Sequence, residues 1–250
     1  MIASLPMYDW PEVRAANDRL WSAIADGLTA RGIDAPARLN RDGELWDQWE
    51  APELLLSQTC GLPYRARLRG RVRMIGAPDY GLEGCPPGYY ASMIVVRAED
   101  AAITPQDWTR RRFVYNENRS QSGWAALLNH AGRIGTGFAS ATASGAHRIS
   151  ARMVAEGAAD IAAIDAQSWR MVTAYDPWAD DLCVIGRTDP TPATSFITSR
   201  HMPEEAVSAL RAALRDAVTE LAPDDRACLH LRDVVDVPEA AYLCVPTPRG

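Results

Sequence analysis

At 250 residues the chain has room for two small lobes or one large domain, by the rough guide of about 150 residues per domain. An apolar fraction of 47% beside 23% charged residues excludes a disordered chain, and a net charge of -6 without a basic stripe excludes a nucleic-acid surface. All 26 basic residues are arginine, which excludes P-loop and Schiff-base lysine chemistry.

The elements alternate between strand and helix. Ile2 to Met7 reads as a brief strand ended by Pro6, and Val13, Ala16, Leu20, Ile24 and Leu28 recur at helical spacing until Gly32. Leu54 to Leu56 is a short strand running into a loop at Ser57 to Gly61. Val72 to Ile75 and Ser92 to Val96 are strands on either side of the Gly- and Pro-rich loop Gly76 to Gly88. Arg112 to Tyr115 is a strand, Asn116 to Arg119 a polar loop, and a helix begins near Ser120. Further strands are predicted at Ile134 to Ala139, Asp160 to Ile164, Leu182 to Gly186 and Ser195 to Thr198, with helices from about His147 to Glu156 and around Trp169. Pro203 opens a long amphipathic helix whose stripe is Ala206, Leu210, Leu214, Val218 and Leu221. Such alternation points to an α/β fold with mostly parallel sheet. No run of about 18 apolar residues occurs, so no transmembrane segment is predicted.

Three places carry chemistry. Ser120-Gln121-Ser122-Gly123 opens a helix after a strand, presenting two hydroxyls and unpaired backbone N–H groups at the positive end of the helix dipole. That arrangement favours an anion, although serine also serves as a plain N-cap. Gly123 permits a close approach to the backbone. His147 stands at a helix start, and Asp165 closes the apolar run Ile161 to Ile164 at the carboxyl end of a strand, where open α/β sheets bind ligands. Five cysteines, Cys60, Cys85, Cys183, Cys228 and Cys244, show no Cys-x-x-Cys pair and no zinc spacing, so reduced thiols are expected. Cys60 and Cys85 fall in loops of one region and would be able to pair in an oxidising compartment.

Gly145-Ala146-His147 and the run Val154 to Asp165 resemble the phosphate-, phosphite- and phosphonate-binding proteins of ABC importers. Ser120-Gln121-Ser122-Gly123 upstream and Gly186 to Pro192 downstream fall in the order that family shows, and Leu5 to Tyr8 and Tyr89 to Ser92 fit its first lobe. The resemblance implies a two-lobed α/β fold of the type II periplasmic-binding class, each lobe a mostly parallel sheet flanked by helices. Residues 1–97 plus 189–250 would form one lobe and 98–188 the other, with crossover strands near Ser92 to Arg97 and Val184 to Thr188 as the hinge. It further implies a small oxyanion seated on Ser120, Gln121 and Ser122, lined by His147 and Asp165, with Tyr90 or Tyr8 closing over it. No catalysis, cofactor or metal follows from it; an ABC permease as partner, a monomeric state and a periplasmic location do. Members that bind aminoalkylphosphonates carry a third hydroxyl where this chain has Gln121. Met1 to Asp9 lacks the basic and apolar regions of a signal peptide, so a native start predicts a cytoplasmic chain. Two other readings stay open on the residues alone: a cytosolic sensor on the same fold, and an enzyme with Cys60 as nucleophile and His130 or His147 as base.

Overall fold

The structure, a computed structural model, describes residues 1–248. In chain order the first stretch holds β1 (Ile2–Ala3), α1 (Arg14–Thr29), α2 (Leu45–Glu50), β2 (Leu54–Thr59), α3 (Gly61–Pro63), β3 (Val72–Asp79) and β4 (Tyr89–Tyr90). The middle stretch holds β5 (Ser92–Arg97), β6 (Arg112–Tyr115), α4 (Ala126–Arg133), β7 (Ser140–Ala143), α5 (His147–Ala155), β8 (Ile161–Asp165), α6 (Ala166–Tyr175) and β9 (Leu182–Arg187). The last holds β10 (Thr191–Pro192), β11 (Ser195–Ser199), α7 (Glu204–Thr219), α8 (Pro223–Leu229), β12 (Asp233–Val235) and α9 (Glu239–Leu243).

The chain divides into two compact units, Met1–Tyr89 with Pro192–Tyr242, and Tyr90–Thr191 with Leu243 onward. Strand β5, expected in the first lobe, lies instead inside the sheet of the second unit, because it pairs with both β8 and β9. The chain passes between units in β4 and β10, so the crossover is made by those strands rather than by Ser92 to Arg97 and Val184 to Thr188.

The first unit is built on a sheet of order β1-β2-β11-β3-β12. Its strands are mixed: β1 and β2 are parallel, while β11 pairs antiparallel with β2 and β3, and β12 antiparallel with β3. Strand β2 extends past Leu56 to Thr59, where a loop is expected. Ser57, Gln58 and Thr59 pair with Ile197, Phe196 and Ser195, and the buried Ser57 hydroxyl bonds to that of Ser4 at 2.8 Å. A polar sequence thus occupies a central strand because its side chains find partners. Helix α7 buries Ala206, Leu210, Leu214 and Val218 and packs on α1; Leu221 falls beyond its end. Gly27 of α1 faces Ala213 of α7 so closely that a Cβ on Gly27 would sit 3.1 Å from the alanine methyl.

The second unit carries a sheet of order β7-β6-β8-β5-β9. β7, β6 and β8 are parallel neighbours, and β5 runs antiparallel between β8 and β9. In each unit the strand that follows a crossover, β11 in the first and β5 in the second, runs antiparallel to both its neighbours, and β12 adds a further antiparallel pair on β3. A strand entering that way has no crossover helix of its own sheet to set its direction. The apolar run Ile161 to Ile164 is fully buried, and Ile161 and Ala163 pack with Val96, Phe113 and Leu127. The strand expected at Ile134 to Ala139 is displaced to Ser140–Ala143. Ile134 caps α4, Gly135 takes a left-handed turn with φ 71°, and only then does the chain pair with β6. All four residues of this edge strand are exposed, so no apolar alternation marks it in the sequence.

Candidate functional site

Because β7, β6 and β8 are parallel neighbours, their carboxyl ends lie along one edge of the second unit's sheet. Each end delivers a helix start: β6 leads to Ser120, β7 to His147 at the start of α5, and β8 to Asp165, which caps α6. The connection from β6 leads toward β7, on one side, whereas that from β8 leads to β9, on the other. Outgoing connections part between β6 and β8, which makes this a topological switch point, the place where open α/β sheets hold ligands.

The helix after β6 starts with a wide turn. Ser120 is the N-cap and its hydroxyl accepts from the Gly123 amide at 2.9 Å, while the Ala125 amide reaches the Ser120 carbonyl at 3.0 Å. Residues Gln121–Ala125 form a π-turn before α4 begins, a local widening that frequently marks functional sites. Ser120, Gln121 and Ser122 are all buried. Gly123 is required here: a Cβ would lie 2.0 Å from Asn116 Oδ1 and 3.0 Å from His147 Cε1. The close approach expected at this glycine is therefore made by Asn116 and His147.

His147 Nε2 lies 2.9 Å from Ser122 Oγ and 3.2 Å from Asp165 Oδ2. A carboxylate only accepts, so Nε2 carries the proton in the neutral ring, an assignment made from its partners. Burial holds the imidazole below its ordinary value, opposed by the Asp165 charge and the Ala163 carbonyl. The other oxygen of Asp165, Oδ1, accepts from the Ser168 amide at 2.9 Å as the cap of α6. Both carboxylate oxygens therefore have protein partners, and Asp165 positions His147.

The structure ties Ser120, Ser122, His147 and Asp165 into one cluster within the second unit, with Gln121 buried between the two serines. Tyr90 is buried at the start of the same unit, two residues before Ser92. Tyr8 belongs to the first unit, where its ring meets Tyr80 edge-on at 5.2 Å. Two further residues of the cluster fall in segments that the sequence marks only through the family resemblance, not as site residues. Ser92 donates to the Ser122 carbonyl at 2.9 Å and sits opposite Asp165 in the β5–β8 pairing, and Thr188 Oγ1 accepts from the Ser92 amide at 3.0 Å. Ser92 lies on β5 and Thr188 just past the end of β9, far apart in sequence, and the β5–β9 pairing brings them together. Asn116 had a legible signal, since it follows a strand in a polar loop just ahead of the Ser120 cap.

Around the Asp165 carboxylate the cluster gathers hydroxyls, an imidazole that burial holds below its ordinary value and the amides of a helix start. Such a set stabilises a negative group by dipoles and hydrogen bonds. It is not a nucleophilic triad, which joins serine and carboxylate through the two different ring nitrogens, whereas here both contacts fall on Nε2. Cys60 is half-buried in the first unit, no disulfide joins any of the five cysteines, and His130 stacks on Trp108 at 6.0 Å in the second unit.

Residues 57–236 match the family model described as the phosphonate periplasmic substrate-binding protein of ABC transporters. No curated protein sequence matches the chain. Among solved structures, PhnD1 from Prochlorococcus marinus in complex with methylphosphonate superposes with a TM-score of 0.74 at 15% identity, covering 96% of this chain and 94% of that one. A binding-protein component of an ABC phosphonate transporter from Pseudomonas aeruginosa gives 0.70 at 16% identity over 94% and 80%. XAC2383 from Xanthomonas citri, bound to chloride, gives 0.72 at 14% identity over 96% and 92%. These likenesses establish a two-lobed mixed α/β fold of the type II periplasmic-binding class.

Proposed function

We propose a function that starts from family membership: the chain belongs to the phosphonate-binding family of ABC-transporter periplasmic substrate-binding proteins, and it binds a small phosphate-, phosphite- or phosphonate-like oxyanion at Ser120, Gln121, Ser122 and His147. The observation that carries this reading is the linked set Ser122 Oγ, His147 Nε2 and Asp165 Oδ2 at the switch point, beside the Ser120-capped helix start. The solved relative from Prochlorococcus marinus holds methylphosphonate, which supports the class of ligand. Delivery to an ABC permease, from the periplasm and as a monomer, is the role such a protein fills. Among the described residues no helix is long and apolar enough to cross a membrane. Tyr8 and Tyr90 enter this reading through the family resemblance alone.

Binding rather than catalysis is supported by the imidazole, whose protonated Nε2 faces both neighbours and leaves no base for the Ser122 hydroxyl. The test is calorimetry with phosphate and methylphosphonate on the wild type and on Ser120→Ala plus Ser122→Ala. The double variant should lose about 1.5–3 kcal/mol of binding, the size of hydrogen bonds to a charged group. Unaltered affinity would reduce both serines to helix caps and sink the proposal.

A further inference from the structure

Gln121 stands between the two site serines and is 1% exposed, yet neither its Nε2 nor its Oε1 has a hydrogen-bond partner among the described residues. The amide's orientation is immaterial, since both ends are unmatched. Leaving such a group buried and unpaired costs free energy, so a native site keeps it only where something else completes it. The serines on either side do not: the Ser120 hydroxyl meets the Gly123 amide and the Ser122 hydroxyl meets His147, and neither reaches the Gln121 amide. Asn116 Oδ1, which faces Gly123 in the same cluster, is a further buried acceptor without a partner. Unmatched groups in this cluster therefore include one N–H donor set and at least two oxygen acceptors.

We infer that the Gln121 amide reads one acceptor and one donor on the bound ligand, so that the site prefers an oxyanion that keeps a proton over one that offers acceptors alone. This rests on the oxyanion reading above and narrows it. An ionised oxygen satisfies Nε2 but meets the Oε1 lone pairs with its own, whereas a P–OH satisfies Oε1 as well. Asp165 meets His147 with Oδ2 and the Ser168 amide with Oδ1, whereas both polar atoms of Gln121 lack a protein partner.

The experiment is calorimetric titration at mildly acidic pH with phosphate and methylphosphonate, which both keep a P–OH there, and with sulfate, which does not. The wild type should bind the first two at least about tenfold tighter than sulfate, the equivalent of one net hydrogen bond. Gln121→Met keeps an unbranched side chain of similar length without either polar atom, and it should erase that preference by weakening phosphate and methylphosphonate more than sulfate. Gln121→Glu supplies a second probe should the methionine variant fold poorly. It keeps acceptors only, and should reject sulfate more strongly than the wild type does. A wild type that binds all three equally, or a Gln121→Met protein that retains the preference, would overturn the inference and leave the amide satisfied by water alone. Failure of the wild type to bind any of the three would instead remove the oxyanion reading, and this inference with it.

Discussion

His147 spends one ring nitrogen on two neighbours, and that choice sets the character of the cluster. With Nε2–H shared between Ser122 and Asp165, the Ser122 hydroxyl keeps its own proton to donate outward. Asp165, expected to face the anion, meets His147 with one oxygen and caps α6 with the other. Asp165→Ala should therefore cost about 1 kcal/mol of stability through the lost cap and also weaken phosphate binding, by releasing the imidazole. A melting curve and a phosphate titration on that variant check the pair. If phosphate affinity survives the loss of the carboxylate, His147 does not depend on Asp165 for its place. Gly123→Ala is a sharper probe, because the methyl would drive into Asn116 and His147. Overpacking of this kind costs about 1–3 kcal/mol, and it should appear as lost anion affinity with the helix content by circular dichroism unchanged. Full affinity in Gly123→Ala would show that Asn116 and His147 can move away freely.

Helix starts and strand ends were legible where the sequence carries a strong period. β6 begins and ends where expected, α5 starts at His147, and the stripe of α7 is buried at Ala206, Leu210, Leu214 and Val218. Elements held by pairing rather than pattern were not legible. β2 keeps three polar residues in a central strand, β7 shows four exposed small residues, and β12 exists only as an addition to β3. The stripe on α7 is nevertheless buried along its length, and Leu210 is wholly buried on it. Leu210→Ala should destabilise the first unit by about 2–5 kcal/mol, the range for a buried leucine cut to alanine. Denaturant unfolding followed by tryptophan fluorescence measures this, and a loss below half a kilocalorie would show that α7 is not packed as described.

The molecule as a whole should be sensitive to acid in two stages. Burial holds both His147 and His130 below the ordinary histidine value, so the unfolded chain takes up those protons first. Stability is then full above that ordinary value and falls as pH drops beneath it. The Arg112 guanidinium and amide hold Asp160 well below the usual carboxylate range, despite its partial burial. Its contribution is present above the ordinary carboxylate value and is lost as pH falls through that range toward the depressed one. His147→Gln should flatten the first stage, and Asp160→Asn the second while lowering stability at neutral pH. Unfolding midpoints across pH for the three proteins test this, and identical profiles would refute it. Composition, periodicity and short motifs were enough to read an α/β chain with helix starts at Ser120 and His147 and a strand ending in Asp165, because those signals are local. The insertion of β5 and β11, the engagement of both Asp165 oxygens and the recruitment of Ser92 and Thr188 came only with the tertiary structure. Each of these depends on residues tens of positions apart meeting across a sheet, and no local pattern records which strand will be the neighbour.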